Sequence, residues 1–97
     1  MSYTATIYQT NPETGYFINL SNILSGPDPR SLVKNICSVY DVSVSDLHVD
    51  PGFGLWFYSD YFGGEKRYYK VIIETTDMLL GKALYKFVED NQNGRSN

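Results

Sequence analysis

The sequence predicts an α+β domain: an antiparallel sheet of about four strands with two helices on one face, in the order ββαββα. Three observations predict it. Alternating segments rich in Tyr and β-branched residues occur in two pairs, each pair encloses a turn-forming cluster, and each is followed by apolar residues at helical spacing behind a capping residue. The 97 residues make one domain over 1–91, with a flexible polar tail at 92–97. A chain of this size buries only roughly 60–65% of its unfolded surface, so nearly every strong apolar position is needed in the core.

The first strand covers residues 3–10 and the second 16–20, joined by Asn11-Pro12-Glu13-Thr14-Gly15. Ser25-Gly26-Pro27-Asp28-Pro29 then breaks the chain, and Asp28 before Pro29 matches an N-cap followed by proline at the first helical position. Leu32, Val33, Ile36, Cys37 and Tyr40 form the apolar stripe of that helix, with Cys37 in the core. Residues 41–50 read as an irregular connection ending in a short strand. A second hairpin joins strands at 55–61 and 66–75 through Phe62-Gly63-Gly64-Glu65. Thr76 or Asp77 caps a last helix to about Asn91, with Met78, Leu79, Ala83, Leu84, Phe87 and Val88 inward.

Composition narrows the function. Eight basic against eleven acidic residues leave a net charge of −3, which disfavours direct nucleic-acid binding because affinity for phosphates comes from Lys and Arg. No apolar run reaches the ~20 residues of a membrane span. From a lone Cys and a start without a signal-peptide pattern, a reducing cytoplasm is the expected compartment. Nine Tyr, five Phe and one Trp exceed what so small a core uses, so some rings are exposed, where Tyr favours protein recognition.

Catalytic patterns are weak. The only general base of the imidazole type is His48, and Cys37 on an apolar stripe is a core residue and not a nucleophile. Asp46, His48 and Asp50 alternate as a strand face would present them, but side chains along one strand diverge, so a solvated face is expected instead of a metal site. No phosphate loop, paired-Cys zinc pattern or calcium loop is present. The expectation is a protein that is not an enzyme and takes no cofactor.

Charge is unevenly placed. Between Lys34 and Lys66 lie Asp41, Asp46, Asp50, Asp60 and Glu65 without any Lys or Arg, while Lys66, Arg67, Lys70, Lys82 and Lys86 crowd the last third. One side of the domain is therefore expected to be acidic and suited to a basic cleft. Lys66-Arg67-Tyr68-Tyr69-Lys70 could instead offer cations and rings to single-stranded RNA, but Glu65 and Glu74 nearby make cross-strand ion pairing its expected purpose.

The whole chain resembles the anti-CRISPR proteins, small phage and prophage inhibitors of bacterial adaptive immunity, and most nearly those acting on the type I-F surveillance complex. The resemblance lies in the length, the acidic balance, the opening Tyr3-Thr4-Ala5-Thr6-Ile7-Tyr8, the linker Ser25-Gly26-Pro27-Asp28-Pro29-Arg30 and an aromatic second hairpin without catalytic machinery. It implies an inhibitor in the bacterial host cytoplasm, a monomer that binds protein subunits of the complex at a basic DNA-binding surface and blocks target DNA as a DNA mimic. On charge, the candidate phosphate surrogates are Asp28, Asp41, Asp46, Asp50, Asp60 and Glu65, with Tyr58, Tyr61 and Phe62 as anchors. The alternative is a small phage structural or adaptor protein binding another protein through an aromatic sheet face.

Overall fold

The computed structural model describes residues 3–50, 54–74, 86 and 88–90. Strands β1 (Tyr3–Thr10) and β2 (Phe17–Gly26) precede helix α1 (Pro29–Tyr40), a 3₁₀ turn (Val44–Asp46), and strands β3 (His48–Asp50), β4 (Gly54–Ser59) and β5 (Arg67–Glu74). Lys86 and Val88–Asp90 are helical, and Val88 is fully buried against the core. Met78, Leu79, Ala83, Leu84 and Phe87, expected on the same helix, lie outside the described residues.

The class is α+β with an antiparallel sheet, as the alternation and helical spacing predict. The strand count differs: five strands pair in the order β2-β1-β5-β4-β3. The fifth is β3, the short strand closing the 41–50 connection, which gains its partner by pairing His48 with Trp56 and Val49 with Leu55. The expected single sheet is present, and its strand order shows how the two hairpins meet. β1 pairs along its length with β5, Ala5 opposite Ile73 and Ile7 opposite Val71, so the two hairpins fuse into one sheet.

β2 is longer than its alternation foretells, reaching Gly26 instead of Leu20. Its pairing with β1 slips between Ile7 and Tyr8 and again between Gln9 and Thr10. Each bulge adds a residue and shifts the side-chain phase by one, which hides a strand from a period-two reading. Gly26, expected in a linker, ends the strand because α1 begins against it. A Cβ there would stand 2.9 Å from the Leu32 backbone nitrogen.

α1 starts as its sequence dictates. Asp28 is extended, its carboxylate accepts the Ser31 N–H at 2.8 Å, and Pro29 needs no helical donor. A cap of this kind is worth ~1 kcal/mol. The helix stops at Asp41, which adopts φ 55°, a left-handed conformation that a short Asp side chain tolerates. Leu32, Val33, Ile36 and Tyr40 are buried against Tyr3, Ala5 and Ile7 of β1, Leu55 and Phe57 of β4, and Tyr69, Val71 and Ile73 of β5. Cys37 is half-buried at the border of this cluster instead of within it.

Tyr40 is the hub. Its ring lies 4.9 Å from Tyr69, 5.1 Å from Phe57 and 5.4 Å from Phe62. Its hydroxyl shares a 2.7 Å hydrogen bond with Ser21 Oγ, and its carbonyl accepts from buried Ser59 Oγ at 2.6 Å. The end of α1 is thereby tied to both β2 and β4.

Candidate functional site

All the buried sheet side chains named above point to the α1 side, so strict alternation sends their neighbours to the other face. Pairing register arranges these in rows. Ile23, Thr6, Ile72, Gly54 and Asp50 form one; Leu20, Tyr8, Lys70, Trp56 and His48 a second; Phe17, Thr10, Tyr68 and Tyr58 a third. Lys70 is the single Lys or Arg in these three rows. Phe17, Leu20, Ile23, Tyr58 and Ile72 are all exposed, Ile23 at 57%.

Five strands at ~4.8 Å spacing and three rows ~6.8 Å apart span on the order of 300–400 Å², within the range of the largest apolar patch on an ordinary monomer, which is often functional. The rings are ordered against one another. Phe17 stacks on Tyr8 at 4.2 Å and His48 on Trp56 at 4.1 Å, while Trp56, Tyr58 and Tyr68 meet at 5.1–6.1 Å between centroids. Rings already held in place lose little entropy on binding.

The β2 edge is built to stay unpaired. It carries no charged residue between Phe17 and Gly26, a composition that would invite strand addition, yet it bears two bulges. Asn22 Oδ1 accepts the Ile23 N–H at 2.9 Å and Asn35 Nδ2 donates to the Ser25 carbonyl at 3.0 Å. The exposed apolar area is thus offered by the face more than by the edge.

The acidic residues chosen on charge do not gather on one surface. Asp28 and Asp41 flank the two ends of α1, whose 12 residues span about 18 Å at ~1.5 Å per residue. Both oxygens of Asp28 are engaged by Ser31. Asp46 lies in the 3₁₀ turn, where Oδ2 accepts the Ser43 N–H at 2.9 Å and Ser43 Oγ at 3.1 Å. It therefore does not share a strand face with His48, whose ring is stacked on Trp56. The Asp50 backbone pairs with Gly54, on the part of the sheet away from the β4–β5 turn.

A smaller group does converge. Ser59 ties the start of that turn to the Tyr40 carbonyl, which brings Asp60, Tyr61 and Phe62 beside Asp41. Tyr61 is 57% and Phe62 43% exposed, their rings 4.8 Å apart. Phe62 also packs edge-on against Tyr40.

Glu65 belongs to a separate feature. A pocket of about 420 Å³ is lined by Gln9, Thr10, Pro12, Ile18, Tyr58 and the run Glu65, Lys66, Arg67 and Tyr68. Cross-strand ion pairing, the expected role of these cations, is not what they do: among the described residues neither Lys66 nor Arg67 makes an ion pair. Arg67 lies over the turn, where a Cβ on Gly63, at φ 132°, would stand 2.9 Å from its Nη2. Glycine there makes room for the guanidinium.

Cys37 is chemically quiet. Burial, reinforced by the nearby Asp46 charge, pushes its thiol from the ordinary 9.0 up to about 11. At pH 8 the thiolate fraction is then about a hundredfold below that of an unfolded chain. Alkylation by iodoacetamide is expected to be slower by about tenfold or more in the native protein than in urea, since the greater nucleophilicity of a higher-pKa thiolate offsets part of the lost thiolate fraction; equal rates would show an open, ordinary thiol.

Sequence reasoning did not select Tyr8, Phe17, Leu20, Ile23, Trp56, Tyr68 and Ile72 as site residues. Their signal was the strand alternation itself, but alternation does not tell which face a helix covers. Among the described residues no helix is long and apolar enough to cross a membrane, and no cluster of three or more His, Cys, Asp or Glu could hold a metal ion. No protein-family model, curated protein or solved structure matches the chain.

Proposed function

We propose that the chain is a non-catalytic binding protein that docks on another protein through the outer face of its sheet. The observation that carries this reading is the three-row surface of ordered rings and exposed aliphatic side chains, with Lys70 as the single Lys or Arg in the rows. Such a surface fits the hydrophobic centre of a protein interface, where aromatic residues are enriched and charged ones depleted. It suits a partner with an apolar patch of its own.

A second reading, inhibition of a CRISPR surveillance complex in the bacterial cytoplasm, draws on the resemblance and on one observation. Asp41, Asp60, Tyr61 and Phe62 share the tip beside the end of α1, so a reduced acidic and aromatic wedge remains available to a basic DNA-binding groove. Asp28, Asp46 and Asp50 are not part of that wedge.

One experiment separates the two. The immobilised chain is offered a host lysate containing a type I-F surveillance complex, and the captured complex is footprinted by hydroxyl radicals. The first reading expects protection at Trp56, Tyr58 and Tyr68 and capture indifferent to excess target duplex. Protection confined to Tyr61 and Phe62, with capture competed by the duplex, favours the tip. Protection on the α1 side alone would defeat both.

A further inference from the structure

The pocket between the two hairpin turns has a chemistry that the outer face lacks. Its walls are apolar where Pro12, Ile18, Tyr58 and Tyr68 line it, and Gln9 and Thr10 add polar groups. Lys66, Arg67 and Glu65 contribute two positive charges against one negative. Both cations are without an ion-pair partner among the described residues, so binding an anion there breaks no existing salt bridge. Arg67 is half-buried, and its guanidinium lies close to Gly63, where a side chain would crowd it.

We propose that this pocket is the anchor for one acidic side chain of the partner protein, flanked in the partner by an apolar residue. The carboxylate meets Arg67 and Lys66 in charge-assisted hydrogen bonds, while the flanking residue lies against Tyr58, Tyr68 and Ile18. The inference rests on the outer-face reading, because Tyr58 and Tyr68 belong to both surfaces. A single carboxylate fits better than a nucleic-acid strand. The local excess is one positive charge, Glu65 stands on the same wall, and the chain as a whole is acidic at −3, whereas strand binding requires cations along a track of phosphates.

The test uses the full ¹⁵N-labelled chain and three probes: N-acetyl-Glu-Leu-amide, its Gln-Leu counterpart, and a ten-nucleotide oligothymidylate. The Glu dipeptide is expected to give saturable amide shifts at Gln9, Thr10, Arg67 and Tyr68, with affinity at least about tenfold above that of the Gln dipeptide, the scale of one charge-assisted contact. Arg67→Gln should abolish the difference and exposed Lys66→Gln should reduce it, each variant first shown to melt as wild type. Equal shifts from both dipeptides, no shifts at these amides, or tighter binding of the oligonucleotide there would overturn the proposal. Should the dipeptides fail while Trp56 remains protected in the captured complex, the pocket inference falls and the outer-face reading stands. Loss of both would remove the two together.

Discussion

Replacing Tyr40 by Ala is expected to lower the free energy of unfolding by about 3–5 kcal/mol, the range for deleting a buried aromatic side chain. That is a large part of what a small domain possesses. The side chain is fully buried, touches the rings of Phe57, Phe62 and Tyr69, and bonds Ser21 through its hydroxyl. Its removal leaves a cavity where α1, β4 and β5 meet and breaks the bond that ties the end of α1 to β2. Urea unfolding followed by circular dichroism measures the effect, and a loss under about 1 kcal/mol would contradict the hub role.

Tyr40→Phe isolates the hydroxyl, at about 1 kcal/mol. It also has a signature in pH. Burial raises the Tyr40 phenol above its ordinary 10.0, against the Ser21 hydrogen bond, which pulls it down. The folded chain therefore holds this proton more tightly than the unfolded one. The resulting stability is fully present below pH 10 and is lost as pH rises through the folded value, so Tyr40→Phe should flatten the alkaline limb of the stability profile.

The second large effect concerns binding. Leu20→Lys combined with Ile23→Lys places two charges in the outer rows, where both wild-type side chains are more than half exposed. Folding stability should change by no more than about 1 kcal/mol, as for other surface substitutions. Affinity for the docked partner should fall by at least about thirtyfold, because a desolvated charge within an interface costs roughly 2 kcal/mol or more. The comparison is Asp41→Asn with Asp60→Asn, which removes charge at the tip and leaves the outer rows intact. Titration calorimetry against the captured partner decides: if the Asn pair loses affinity and the Lys pair does not, the tip is the binding surface.

Where signals were local, the residues were legible. Asp28-Pro29 set the start of α1, the spacing of Leu32, Val33, Ile36 and Tyr40 gave its buried stripe, and Gly63-Gly64 marked the β4–β5 turn. The acidic surface failed for a related reason. Asp28 and Asp46 are capping residues, a local role that uses their oxygens on Ser31 and Ser43, and counting charges along the chain treats them as free.

Local signals along the chain therefore suffice for an α+β domain with two hairpins, a capped amphipathic helix and a surplus of aromatic rings. Long-range pairing is what joins β1 to β5, completes the sheet with β3 and turns the rows from Phe17 to Tyr58 outward. Caps, turns and periodicity are encoded within a few consecutive residues. Which strands become neighbours, and which face α1 covers, depends on contacts between residues some 65 positions apart, such as Ile7 and Val71, and no short window of sequence contains both partners.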